Sequence, residues 1–236
     1  MNAVDAAPRY AVYFVPAAHT TLYHFGSIAL GYDCYSGNDI ASWNDIPMSA
    51  AEWSALTRDP RTYGFHATLK PPFRLRGEYA ETDLMHAFAA FAAAIEHVPT
   101  ITPSIDVLDA FVALVPQQPN ADLSALADAA VRDFDRFRAP LTTEDRARRM
   151  STSFSPRHVA NLERWGYPYV FEDFRFHMTL TGRVEPERRA SVVSFLHTRF
   201  ATICGDEPLS INTIALLRQD RPHERFRVIS HGSQSK

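Results

Sequence analysis

Apolar and polar positions fall into short blocks of strand or helix period along the whole chain. Residues 9–16, RYAVYFVP, are rich in Val, Tyr and Phe and close on Pro, which predicts a first strand. TTLYHFGSIALG (20–31) predicts a short helix stopped by glycine, and SAAEWSALTR (49–58) a second, because Ser49 and Glu52 stand at capping-box spacing. RTYGFHATLKPPF (61–73) alternates as a strand that ends near Lys70, since Pro71 and Pro72 cannot donate to a central ladder. ETDLMHAFAAFAAAIEH (81–97) is Ala-rich with apolar residues at helical spacing. SIDVLDAFVALVP (104–116) reads as two strands about a tight bend or as one bent strand, and ADLSALADAAVRDFDRF (121–137) as an amphipathic helix. Residues 138–172 are polar and irregular, with a helical stretch at SPRHVANLERWG (155–166) that stops at Gly166. DFRFHMTLTGRV (173–184) alternates as a strand, EPERRASVVSFLHTRFATIC (185–204) predicts a helix opened by Pro186, and SINTIALLRQD (210–220) with ERFRVIS (224–230) predicts two strands joined by a short turn.

The order repeats: a strand, a long helix, then two strands. Each copy starts from one string, Phe-His-x-Thr-Leu, at FHATLK (65–70) and FHMTLT (176–181). A repeated order at similar spacing predicts duplication. The expected fold class is therefore α+β: one bilobal domain over residues 1–236, with two antiparallel sheets flanked by helices and a pseudo-twofold around a central cleft. The half-repeats span about 61–116 and 173–231, and residues 1–60 and 117–172 complete the lobes.

Strand alternation divides each string into two faces. Tyr63, Phe65, Ala67 and Leu69 form one apolar face; Phe174, Phe176, Met178 and Leu180 form its counterpart. Gly64, His66, Thr68 and Lys70 lie on the other face, as do Arg175, His177, Thr179 and Thr181. If both polar faces meet at the cleft, two imidazoles flank one substrate, one as general base and one as general acid. Each Thr hydroxyl can hydrogen-bond a non-bridging oxygen, while Lys70 and Arg175 supply positive charge. That inventory suits in-line attack on a phosphodiester and calls for no metal and no cofactor. A lone His-x-Thr on a strand is more often structural; two copies in matched halves favour function.

Composition narrows the setting. A chain of 236 residues with 46% hydrophobic and 22% charged residues buries a sizeable core without staples. The N-terminus MNAVDAAPRY has no basic region and no apolar run, and AFAAFAAAI (87–95) is too short to span a bilayer. Cys34 and Cys204 lack metal spacing and read as thiols of a reducing compartment, so a cytoplasmic protein with no membrane partner is expected. A net charge of −3 argues against duplex DNA as a partner. Lys70 and Lys236 stand alone against 22 arginines. No GxGxxG and no GxxxxGK[ST] string occurs, and the remaining histidines show no HxxxH or HxH spacing.

At His66-Ala67-Thr68-Leu69 and His177-Met178-Thr179-Leu180 the chain resembles the 2H phosphoesterase superfamily, also called LigT-like. Its mark is two Hx[ST]h motifs (h, hydrophobic) on a bilobal duplicated fold. YGFHATLKPPF, WGYPYV and FRFHMTLTGR, with RYAVYFVP, resemble its branch of phosphonate-metabolism proteins. The resemblance implies a metal-independent cyclic phosphodiesterase that opens a cyclic phosphate on a small ribose phosphate, a nucleotide or an RNA end. It implies His66 and His177 as the acid–base pair and Thr68 and Thr179 as ligands of phosphate oxygens. Lys70, Arg175, Tyr63 and Tyr167 are the candidate substrate-binding residues. Arg146, Arg148, Arg149 and Arg157, with Trp165, Tyr167 and Tyr169, make residues 138–172 either a solvated connector or a rim over the substrate. Two rivals stand beside this reading: a non-catalytic module that binds phosphate or RNA ends on the same fold, and a zinc hydrolase using both histidines, which lacks a third ligand near either motif.

Overall fold

The computed structural model describes residues 7–233, so most of the N-terminal stretch read for a leader, and Lys236, lie outside the described residues. The first apolar block forms β1 (Arg9–Phe14), buried at all but its first position. α1 (Thr21–Leu30) starts where the Thr20 hydroxyl accepts the Tyr23 N–H and stops at Gly31 in the left-handed conformation. α2 (Ala50–Leu56) opens on the Ser49–Glu52 capping box, and the short α3 (Arg58–Arg61) follows at once. β2 (Ala67–Arg74), α4 (Glu81–Ala93), the two-residue β3 (Thr100–Ile101), β4 (Pro103–Leu108) and β5 (Phe111–Pro116) come next. The bend between β4 and β5 carries Asp109 at a φ of 56°, so this stretch is a hairpin of two strands. Then come α5 (Ala121–Asp135), α6 (Thr143–Arg149), α7 (Pro156–Trp165), β6 (Met178–Arg183), α8 (Pro186–Cys204), β7 (Leu209–Ser210), β8 (Thr213–Gln219) and β9 (Arg227–Ser233).

The fold is α+β with antiparallel pairing throughout. Seven strands form one sheet in the order β4-β5-β6-β2-β1-β8-β9, and β3 pairs with β7 in a small second sheet. The expectation of two antiparallel sheets around a central cleft is met only in part: the two motif strands, β2 and β6, lie side by side within the large sheet. Their pairing is recorded at a single place, Ala67 opposite Met178, which are the first residues of both strands. The hairpin that follows β2 in sequence, β4–β5, pairs with β6, while β8–β9 lies on the β1 side of β2. α4 packs on β8 and β9, α8 on β4 and α1, and α5 on β2.

β1 serves two cores. Tyr10, Val12 and Phe14 join the main core with Phe65, Ala67 and Leu69. Ala11, Tyr13 and Val15 join a smaller cluster with Tyr23, Tyr32, Cys34 and Phe226. α1 crosses the main core closely: a Cβ at Gly26 would sit 2.0 Å from the Phe65 ring.

Three strand limits differ from the alternation. β2 continues through Pro71 and Pro72 to Arg74 rather than stopping near Lys70. Its register with β1 runs from Val12↔Lys70 to Tyr10↔Phe73, so both prolines fall in a bulge and neither needs a ladder N–H. Both motif strands also begin late, at Ala67 and Met178, after each histidine. There the His66 and His177 rings take the carbonyls of Gly64 and Arg175, local bonds that compete with a ladder. Within 138–172, α6 forms where an irregular connector was expected; the Thr142 hydroxyl caps it and Arg149 ends it.

Candidate active site

The site grows from the single β2–β6 register point. Ala67 and Met178 are 0% exposed and point into the main core. Alternation therefore turns their neighbours to the other side of the sheet. Counting one residue outward in an antiparallel register sets His66 opposite Thr179 and Thr68 opposite His177. By that register each histidine stands across the strand pair from the other motif's threonine. Thr68 and His177 line a cavity of about 660 Å³ together with Arg175 and Tyr167. That volume is within the usual range for a small-molecule ligand. Its walls also carry Asp109, Phe111, Glu172 and Tyr169, the last 46% exposed at the rim.

The two imidazoles are held alike. His66 Nδ1 lies 2.8 Å from Gly64 O, and His177 Nδ1 lies 2.8 Å from Arg175 O. A carbonyl only accepts, so Nδ1 carries the hydrogen in both rings and Nε2 is left as the working atom. Thr68 Oγ1 is 3.2 Å from His66 Nε2, and in the neutral ring the hydroxyl donates to it. Tyr13 stacks on His66 at 3.8 Å between centroids, and Phe111 leans on His177 at 5.6 Å. Burial pushes the His66 pKa from 6.5 down to about 4, with the Gly64 carbonyl opposing and nearby His177 adding to the shift. Burial also lowers His177, against the Arg175 carbonyl. Both rings are thus neutral at pH 7 before an anion enters.

Gly64 is required at its position. Its φ is +75°, and a Cβ there would lie 2.7 Å from Cys34 Cβ. Its carbonyl is the one that aims His66. Gly64→Ala is expected to cost about 1–3 kcal/mol and lower the melting temperature by roughly 2–12 °C. Turnover should fall more than the melt implies, because the His66 ring loses its anchor. Unchanged turnover in a folded Gly64→Ala protein would mean that the carbonyl does not position the ring.

The remaining candidates divide. Arg175 is exposed on the cavity wall, and Tyr167 lines it with its hydroxyl pKa raised to about 12 by burial. Tyr63 stacks on Phe226 at 5.4 Å and sits 6.0 Å from the His66 ring. Lys70 is not at the site, which corrects its expected role as a substrate cation. It is 1% exposed, and its Nζ donates to Val131 O at 3.0 Å and Asp135 Oδ1 at 3.1 Å, because α5 covers the outer face of β2 there. Thr181 is likewise buried, accepting the Val112 N–H. The chain pattern did not single out Tyr13, Phe111, Asp109 or Glu172. They reach the site from β1, the β4–β5 hairpin and the 3₁₀ turn at Phe171–Asp173. Among the described residues no group of three or more His, Cys, Asp or Glu could hold a metal, and no helix is long and apolar enough to cross a membrane.

Two curated relatives share the matched region. The chain is 34% identical over 225 residues to a ribose 1,5-bisphosphate phosphokinase PhnN of Janthinobacterium sp. (strain Marseille), covering 94% of this chain and 50% of that protein. It is 34% identical over 232 residues to the protein of the same name from Laribacter hongkongensis (strain HLHK9), covering 93% of this chain and 50% of that one. The chain thus spans about half the length of these relatives. Among solved structures it is similar to a conserved protein of unknown function, ATU0111, from Agrobacterium tumefaciens str. C58, at 10% identity and a TM-score of 0.40 over 96% of this chain and 88% of that one. A family match extends from inside the first motif to β9, residues 68–227, and by it the chain belongs to the family described as a protein of unknown function (DUF1045).

Proposed function

We propose that the chain is a cyclic phosphodiesterase of the 2H type, with a cyclic phosphate on a ribose as its substrate. The observation that carries this reading is the matched pair of rings. Each has Nδ1 tied to the carbonyl two residues back, each keeps Nε2 for chemistry, and the Ala67–Met178 register sets each across from the other motif's threonine. In the reaction one neutral Nε2 takes a proton from water as the water oxygen bonds to phosphorus. The ring P–O bond breaks, and the leaving oxygen takes the proton from the other, protonated imidazole. A phosphomonoester and a free hydroxyl result. Thr68 and Thr179 hold the non-bridging oxygens, so Thr68 turns from His66 to the phosphate when substrate enters. The meeting point of β2 and β6 serves as the pseudo-twofold of a duplicated fold, with the half-repeats 61–116 and 173–231 exchanging hairpins across it.

The more strongly depressed His66 suits the base and His177 the acid. Ribose as the carrier is supported by the resemblance to the phosphonate-metabolism branch and by the phosphorylated ribose in the relatives' names. Phosphokinase chemistry we assign to the other half of those longer proteins, since this chain has no GxxxxGK[ST] loop. Binding without product on every cyclic phosphate offered would favour the non-catalytic module instead.

The pH dependence follows from the shifts. The acid must carry a proton that burial makes hard to hold, so kcat/KM falls as pH rises above the lowered His177 value, which lies under 6.5. The base must be neutral, so activity also falls as pH drops through about 4. The expected profile is a bell centred on the acid side of 6.5, with the kcat profile moved to higher pH because bound phosphate favours the imidazolium. A kcat/KM that climbs to a plateau above pH 8 would contradict the protonated acid. The fold itself should lose stability in acid: the unfolded His66 protonates near 6.5 while the folded ring resists until about 4.

A further inference from the structure

The sheet face that carries His66 also carries a cationic cluster with no part in the proposed reaction. Arg9, Arg74, Arg138 and Arg149 line one small cavity with Pro72 and Asp145. Arg138 is paired with Asp135, and Asp145 is taken by Arg74 and Arg148. Arg9 and Arg149 have no ion-pair partner of their own among the described residues. Arg9 Nε donates to Gln219 Oε1 at 2.7 Å, and Arg149 donates to the carbonyls of Gly166 and Pro72. Both guanidiniums are partly buried, and burial lowers the pKa of each. Half-buried cations with no paired carboxylate are costly unless an anion joins them.

The cluster connects to the imidazole pair through rings. The Arg9 guanidinium lies 5.5 Å from the Phe226 centroid, Phe226 stacks on Tyr63 at 5.4 Å, and Tyr63 lies 6.0 Å from His66. Along β1, Arg9 and Tyr13 share a face four residues apart, about 13 Å at the Cα atoms. Less the length of an arginine side chain, that leaves a span of the order of one pentose. The cavity has room of about 20 Å³, about that of one water, so a phosphoryl group would meet the two guanidiniums at its mouth rather than enter it.

We propose that Arg9 and Arg149 hold a second phosphate of the substrate, so that the compound opened at His66 and His177 is a sugar cyclic phosphate with a terminal phosphoryl group. This rests on the cyclic-phosphodiester reading. Two measurements separate them. In the His66→Ala/His177→Ala background, calorimetric titration of the full chain with inorganic phosphate should still show binding. Adding Arg9→Gln should weaken it at least about tenfold. Binding that disappears with the histidines, or that ignores Arg9→Gln, overturns the site. On the wild type, a ribose cyclic phosphate with a second phosphate should be opened with kcat/KM at least about a hundredfold above the same compound without it. Arg9→Gln, and Arg149→Lys as the less disruptive change at a residue that also ties Gly166 to Pro72, should shrink that ratio through KM. Equal rates on both compounds overturn this proposal and leave the phosphodiesterase standing. If neither compound is opened, the reaction fails and this substrate with it.

Discussion

His66→Ala and His177→Ala are each expected to lower kcat by about 10³–10⁴-fold on a cyclic ribose phosphate. The fold should survive both changes. Each ring is partly open, is tied to its own backbone, and carries a depressed pKa that makes it no asset in acid. The losses should not add. With either imidazole gone, proton transfer at one end of the displacement has already failed, so the double variant should be barely slower than the worse single one. Thr68→Val and Thr179→Val should cost less, about tenfold to a thousandfold each, because they remove one oxygen ligand and leave the proton relay. Single-turnover rates on the four variants and the double would test this. Additive histidine losses would mean that the rings do not act on one phosphate.

Asp135→Ala should be among the most damaging substitutions for stability. Asp135 Oδ1 accepts from Lys70 Nζ at 3.1 Å and Arg138 Nε at 2.8 Å, and Oδ2 from Arg164 at 3.1 Å. Lys70 is 1% exposed, and burial lowers its pKa from 10.5 to about 8 even with Asp135 beside it. Without the carboxylate three cations face one another, one of them sealed under α5. The expected loss is about 3–5 kcal/mol, or roughly 6–20 °C in melting temperature. The pH dependence gives a second reading. In the variant the folded lysine resists protonation more strongly still, while the unfolded one titrates at 10.5 in both proteins, so the deficit should shrink as pH rises through about 8, where the wild-type folded lysine also becomes neutral. Lys70→Met in the same background should recover part of the loss at pH 7. Urea melts at pH 7 and 9.5 decide it; a loss under about 1 kcal/mol with no pH dependence would contradict the buried network.

What could be read from the chain were features whose signal is local. The Ser49–Glu52 box, the stops at Gly31 and Gly166 and the helix opened by Pro186 all stand where the pattern sets them. The apolar faces Phe65-Ala67-Leu69 and Phe176-Met178-Leu180 are buried as alternation requires. What could not be read depends on distant partners. Lys70 sits on the polar face by period, but α5 arrives from more than 50 residues away to cover it. Pro71 and Pro72 forbid a ladder only where one runs, and the β1 bulge removes it. α6, TEDRARR, has no apolar stripe, although its acidic start and basic end complement the helix dipole and offered a weaker sign. The adjacency of β2 and β6 follows from strand order, which periodicity does not encode.

The central claim is best tested by ³¹P NMR of the purified chain with a ribose cyclic phosphate, in the presence of EDTA. The account predicts that the cyclic resonance converts to one monoester resonance in the wild type and persists in His66→Ala and His177→Ala. Persistence in the wild type across the small cyclic ribose phosphates and cyclic nucleotides would contradict the account, as would conversion at the wild-type rate in either histidine variant.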